Sequence, residues 1–236
     1  MALTVLTGIA AGLITTVAGM GGGLLLLLVL AVISGDPLQA LVVTSPALLL
    51  GNGHRLWRYR HDVDRATALP LALGAVPTAL VVGMLTAQAP VAFIRWAMLG
   101  VALLAAARGL GLWRWVPPTS WGFPIGLTAG AVQATAGGSG VLLAPYLMGR
   151  DLVGRPYVAT IAAVAVALHV SRFAGYGAGG LVHLDDLLAG TALAGTILVG
   201  NRLGEWLSGG IDDALQRRLQ VGVLVGCAVM GVAGLR

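Results

Sequence analysis

Lysine is absent from this 236-residue chain, and all 14 of its basic residues are arginine. With neither a lysine-rich patch nor a basic stripe interleaved with aromatics, the net charge of +5 is no nucleic-acid footprint. Cysteine is almost missing too. Cys227 stands alone in an apolar run, which excludes an internal disulfide and predicts a buried, inert thiol. The four histidines are scattered and Cys227 has no ligand partner near it in sequence, so neither a metal site nor a cofactor is expected. Charge of either sign is scarce, at 10% of residues against 58% hydrophobic ones. A soluble domain of this size cannot cover itself with so few charges, so the solvent for most of the chain is a lipid bilayer. Residues 1–19 carry no basic residue, which argues against a cleaved signal peptide.

What the chain has in abundance is glycine, and two clusters break apolar runs at matching places: GMGGG at 19–23 and GGSG at 137–140. In lipid every backbone N–H and C=O needs a partner, so an interrupted helix survives only inside protein or beside a polar cavity. A duplicated pair of breaks points to the binding site of a secondary transporter. Apolar runs punctuated by Gly, Pro and charge predict helices over about 2–18, 22–34, 38–53, 66–87 and 91–112. The second half follows with about 121–136, 140–149, 155–173, 186–206 and 213–234. The second segment of each half is too short to span about 30 Å of hydrocarbon, so the first two are expected to form a Gly-broken helical hairpin.

The halves align in order. Gly12, Gly19 and Gly22 meet Gly130, Gly137 and Gly140; Pro37 meets Pro156, Asp64 meets Asp185, and Arg95 and Val101 meet Arg217 and Val223. The ordered series supports an internal duplication. If each hairpin returns the chain to its entry side, one side collects eleven arginines and the other only Arg95, Arg172 and Arg236. A single kinked crossing instead gives eight against six. Arginine bias sets orientation, so the first arrangement is favoured, with both termini outside. The expected fold is an all-α polytopic membrane protein of two inverted repeats, 1–118 and 119–236, forming one membrane domain.

GMGGG with the apolar run after it, Pro37, Ala40, Asn52, the loop RLWRYRHDVD at 55–64, and the GGSG copy with Pro145 together resemble a known family. It is the TauE/SafE family of sulfite and organosulfonate exporters, also called the 4-toluene sulfonate uptake permease family, and the likeness extends over essentially the entire chain. The resemblance implies an integral plasma-membrane protein (the inner membrane in a bacterium) that moves sulfite, sulfonates or related small anions. One departure is LLLLLVL at 24–30, where the family often has a proline shortly after the first glycine run.

Glycines at a break suit an anion because they leave the N–H groups of the next half-helix unpaired, at the positive end of its dipole. Gly19, Gly21, Gly22 and Gly23 are candidates in the first break, and Gly137, Gly138 and Gly140 in the second. Inverted repeats would bring the two ends together and hold an oxyanion without a buried arginine. The competing reading is tight helix packing through small residues. Gln133 and Ser139 can donate to an anion; Thr15, Thr16 and Thr135 are expected to bond their own backbone one turn back. Asn52 either closes a helix contact or lines the path. His169 carries a coupling proton or a structural hydrogen bond, and Arg172 recruits anions at the outer mouth or snorkels to the headgroups. Asp64, Asp185 or Asp186, and Asp212 or Asp213 are read as helix caps, and Glu205 as the i,i+3 partner of Arg202. Gly137–Gly140 also fits the short GxSG pattern of rhomboid-type intramembrane proteases, with Ser139 as nucleophile and His169 as base, and a passive anion channel is a further rival. The coupling ion, the direction of transport and a homo-oligomeric state are left open.

Overall fold

A computed structural model describes residues 2–17, 21–208 and 213–235. Among them ten α-helices follow one another: α1 (Ala2–Val17), α2 (Gly22–Ser34), α3 (Pro37–Tyr59), α4 (Arg65–Thr86), α5 (Val91–Gly109), α6 (Gly122–Thr135), α7 (Gly140–Met148), α8 (Gly154–Ala178), α9 (Leu184–Ser208) and α10 (Asp213–Ala233). Length separates them into two kinds. At 1.5 Å per residue, α2 with 13 residues and α7 with 9 reach only about 20 Å and 14 Å, short of the hydrocarbon thickness. Four helices, Arg65–Thr86, Val91–Gly109, Gly154–Ala178 and Leu184–Leu207, are both long and apolar enough to cross. The protein is an all-α, polytopic membrane protein.

Local chemistry sets the helix ends. The Asp36 carboxylate accepts from Leu38 N–H at 2.9 Å and Gln39 N–H at 3.2 Å, with Pro37 at the first helical position. Asp64 caps α4 by accepting from Ala66 N–H at 3.1 Å, and Thr67 Oγ1 donates to it at 2.6 Å. Asp186, in the first turn of α9, accepts from His183 N–H at 3.2 Å. Glu205 pairs with Arg202 at 3.2 Å. Asp212 lies outside the described residues, as does Gly19. Helix α3 runs to Tyr59 rather than ending near residue 53, so the segment at 55–64 is helical over its first half. Likewise α8 continues to Ala178, past residue 173. In both cases the drop in hydropathy marks where the apolar run fades and not where the helix ends; in α3 the segment beyond it contains Arg55 and Arg58, good helix formers.

Packing relates the two halves. Helix α1 lies on α9 and α4 on α6; α3 and α8 touch each other and cross-pack on α9 and α4; α5 meets α10. Exchanging the first five helices for the second five maps these principal contacts onto themselves. Small residues permit the closest approaches. A Cβ on Gly12 would run into the Ile197 carbonyl of α9, and one on Gly130 would sit 2.6 Å from the Ala75 carbonyl of α4. The outward face of α4 is apolar, with Leu69, Leu73, Val81 and Leu85 exposed, as lipid contact requires. Cys227 is free and fully buried.

Gly130→Ala is expected to cost about 1–3 kcal/mol by overpacking the α4–α6 contact. Gly195, with nothing within 4 Å of its added Cβ, supplies the control, and its alanine variant should stay within about 0.5 kcal/mol of the parent. Thermal unfolding of the two variants in detergent compares them.

Candidate functional site

Helix α6 stops at Thr135 and α7 restarts at Gly140, and the turn between them needs Gly137 at φ 66° and Gly138 at φ 73°. L-residues with a Cβ pay for that left-handed region, so glycine is the inexpensive choice. The ends left open by the break are then satisfied from nearby. The Gln133 side-chain carbonyl accepts from Ser139 N–H at 3.1 Å. Val141 and Leu142 N–H groups turn back to the carbonyls of Gly138 at 3.1 Å and Ser139 at 2.9 Å. At the other end α8 supplies donors to the freed carbonyls of α6. Arg172 Nη1 donates to the Gln133 carbonyl at 3.1 Å, and Tyr176 OH to the Ala134 carbonyl at 2.6 Å.

The first break resembles the second in how it is supported. Gly21, at φ 90°, precedes α2, and a Cβ there would lie 2.9 Å from Val223 of α10. A Cβ on Gly138 would lie 2.9 Å from Val101 of α5. These two valines are the pair matched between the halves in sequence, so each break rests on the fifth helix of the other half.

Both breaks border one cavity of about 130 Å³. Gly21 and Gly23 line it from the first half; Gln133, Gly137, Gly138, Ser139 and Gly140 line it from the second. Asn52 of α3 and His169 and Arg172 of α8 complete the set of sequence candidates found there. Gly22 is not part of the lining: its added Cβ would strike the Thr15 side chain of α1, so it serves the helix contact. The volume is close to that of an engineered, roughly 150 Å³ cavity that takes up benzene, so only a small guest fits.

Arg172 departs from the sequence expectation. It is 0% exposed, so it neither snorkels nor stands at the outer mouth, and the cavity does contain a buried arginine. The sequence placed it near a helix end because its apolar run fades there, yet α8 continues and α6 needs its donors. Besides the Gln133 bond, Nη2 reaches Thr44 Oγ1 at 3.4 Å and the guanidinium lies 6.0 Å from the Tyr176 ring. Its Nε is buried without a partner, and the described residues give it no carboxylate. His169, one turn earlier and 4% exposed, has an unpartnered buried Nδ1. Such groups are the unmet donors and acceptors that a polar guest can complete.

The smaller polar residues behave as expected. Thr15, Thr16 and Thr135 donate to the carbonyls of Ala11, Gly12 and Ala131. Asn52 Nδ2 donates to the Leu48 carbonyl at 2.8 Å and also faces the cavity. Ser139 and His169 share the cavity, but no hydrogen bond joins them among the described residues, which gives the protease reading no nucleophile–base pair.

Sequence reasoning missed Arg55. Reading 55–64 as a loop hid that Leu48, Asn52 and Arg55 fall on one face of α3. Arg55 lines the central cavity and also a second chamber of about 320 Å³, bordered by Arg58, Tyr59, Tyr157 and Glu205. Thr15 and Ile161 likewise border both, so the two spaces adjoin. Leu27 and Arg172, which are 0–1% exposed, line the cavity but not this chamber.

A family model described as Sulfite exporter TauE/SafE matches residues 4–232. No curated protein and no solved structure matches the chain.

Gln133→Ala removes the acceptor for Ser139 N–H and is expected to cost about 1–3 kcal/mol, the range for a buried donor left unpaired. Gln133→Glu, which keeps an acceptor at that place, should recover most of the loss in a thermal-unfolding series.

Proposed function

The chain belongs to the sulfite exporter TauE/SafE family, membrane transporters of the sulfite and sulfonate type, and from that premise we propose how it works. It is a secondary transporter that holds one small sulfur oxyanion in the cavity between the two helix breaks and passes it across by alternating access. The observation that carries this reading is the lining of that cavity among the described residues: both breaks, a buried Arg172 with no carboxylate partner, and no Asp or Glu. An oxyanion supplies the charge and the acceptors that such a lining lacks. The dipoles of α2 and α7 add the positive ends of two half-helices, although the Ser139, Val141 and Leu142 N–H groups are already bonded at the start of α7.

The halves 1–118 and 119–236 act as inverted repeats. Three features support this: the reciprocal helix packing, the matched valines under the breaks, and the antiparallel course of α3 and α8. The last follows from two contacts, Arg172 with Thr44 and Asp64 N–H with Thr160 Oγ1 at 3.0 Å. Under the arginine-bias orientation the termini lie outside the plasma membrane, and the chamber beside Arg58 and Tyr59 opens to the cytoplasm. Arg172, buried in the cavity lining and absent from that chamber, supports reading this as the inward-open form of a carrier.

Purified protein in liposomes should show saturable sulfite or sulfonate uptake with counterflow and no single-channel currents. Arg172→Gln should lower transport about 30-fold or more, as expected for truncating a buried charge that contacts its counter-ion. Ser139→Ala should change apparent affinity by no more than about tenfold, the worth of one hydrogen bond. Full activity in Arg172→Gln, with folding verified by gel filtration, sinks the site assignment.

A further inference from the structure

We propose that Glu205 is a built-in competitor of the transported anion: it shares Arg55 with the guest, neutralising that guanidinium while the cavity is empty and giving it up when the cavity fills. This rests on the central cavity being the anion site. Three residues, Thr15, Arg55 and Ile161, border both the cavity and the adjoining chamber, and of these the arginine alone carries charge. Arg58 borders the chamber but not the cavity, so it cannot be shared in the same way. Glu205 of α9 lines the chamber with Arg55 and acts on it electrostatically.

The two arginines that Glu205 influences stand in different surroundings. Its pair with Arg202, at 3.2 Å, joins side chains that are 26% and 84% exposed, so water screens much of that attraction. Arg55 borders the interior, and its Nε is buried without a hydrogen-bond partner. A guanidinium in such a place is costly without a counter-charge, and in the empty site Glu205 supplies it. A guest in the cavity presents a second negative charge to the same group. The guest and Glu205 then repel each other, and the planar guanidinium fork cannot serve both bidentately. Releasing Arg55 does not strand the carboxylate, because Arg202 remains beside it. Glu205 therefore opposes anion binding, and it takes Arg55 back as the guest leaves for the chamber. A carrier gains from this, since a site that binds too tightly releases too slowly.

A double-mutant cycle tests the sharing. Sulfite binding to the detergent-solubilised full chain is titrated in oxygen-free buffer at constant ionic strength, with folding verified by gel filtration. Glu205→Gln should tighten sulfite about fivefold or more, the scale of coupling within one charge network, and Glu205→Ala should act in the same direction. A merely structural Glu205 would weaken binding when replaced, which is the opposite sign. Arg55→Gln should weaken sulfite, and adding Glu205→Gln to it should then change the affinity by no more than about twofold. Arg55→Lys, which keeps a charge to share, should keep the response to Glu205→Gln. The proposal is overturned by unchanged or weaker binding in both Glu205 variants. It is equally overturned by the same tightening in the Arg55→Gln background, because Glu205 would then act on the anion without the arginine. No binding of sulfite by the parent would overturn the anion-site reading itself, and with it this one.

Discussion

A helix broken inside a membrane must find partners for the backbone groups it exposes, and everything around the cavity follows from how that need is met. At the second break the solution uses side chains from two directions. Gln133 reaches forward to the restarting chain, and Arg172 and Tyr176 reach across from α8 to the carbonyls at the end of α6. These bonds convert a weak point into a defined turn. They also leave a guanidinium in the interior with no carboxylate partner among the described residues, which is a poor arrangement for stability and a good one for capturing an anion.

The second break is therefore both scaffold and site. Its glycines permit the turn, its glutamine caps the turn, and the arginine that holds the preceding helix end borders the guest's space. A related economy appears in the valines. Val101 and Val223 each sit against the break of the opposite half, so each break leans on the other half's fifth helix. Within the proposed inverted repeat, this interdependence ties the two half-helices to a common centre.

Much of this organisation was legible in the residues. Ten helical segments, the short second member of each half and the capping role of Asp64 follow from hydropathy runs and turn chemistry, which act locally. The convergence of GMGGG and GGSG residues on one cavity was anticipated from their matched positions alone. What the sequence hid was the continuation of α3 and α8 past their apolar runs. Arg55 looked like a loop residue, and Arg172 like a surface anchor, because hydropathy reports the lipid boundary rather than the helix boundary. Burial of an arginine depends on partners 39 and 128 residues away in sequence, Gln133 and Thr44, and no local pattern encodes those meetings.

The two bonds from α8 to the end of α6 have a mechanical consequence. Tyr176 and Arg172 fasten the far half of α8 to the end of α6, the segment before α7. The bond from Arg172 to Thr44 of α3, at 3.4 Å, is the longer of the two hydrogen bonds the guanidinium makes. Under the proposed alternating access, a stroke that moved α8 would carry the end of α6 with it and test the weaker Arg172–Thr44 bond to α3.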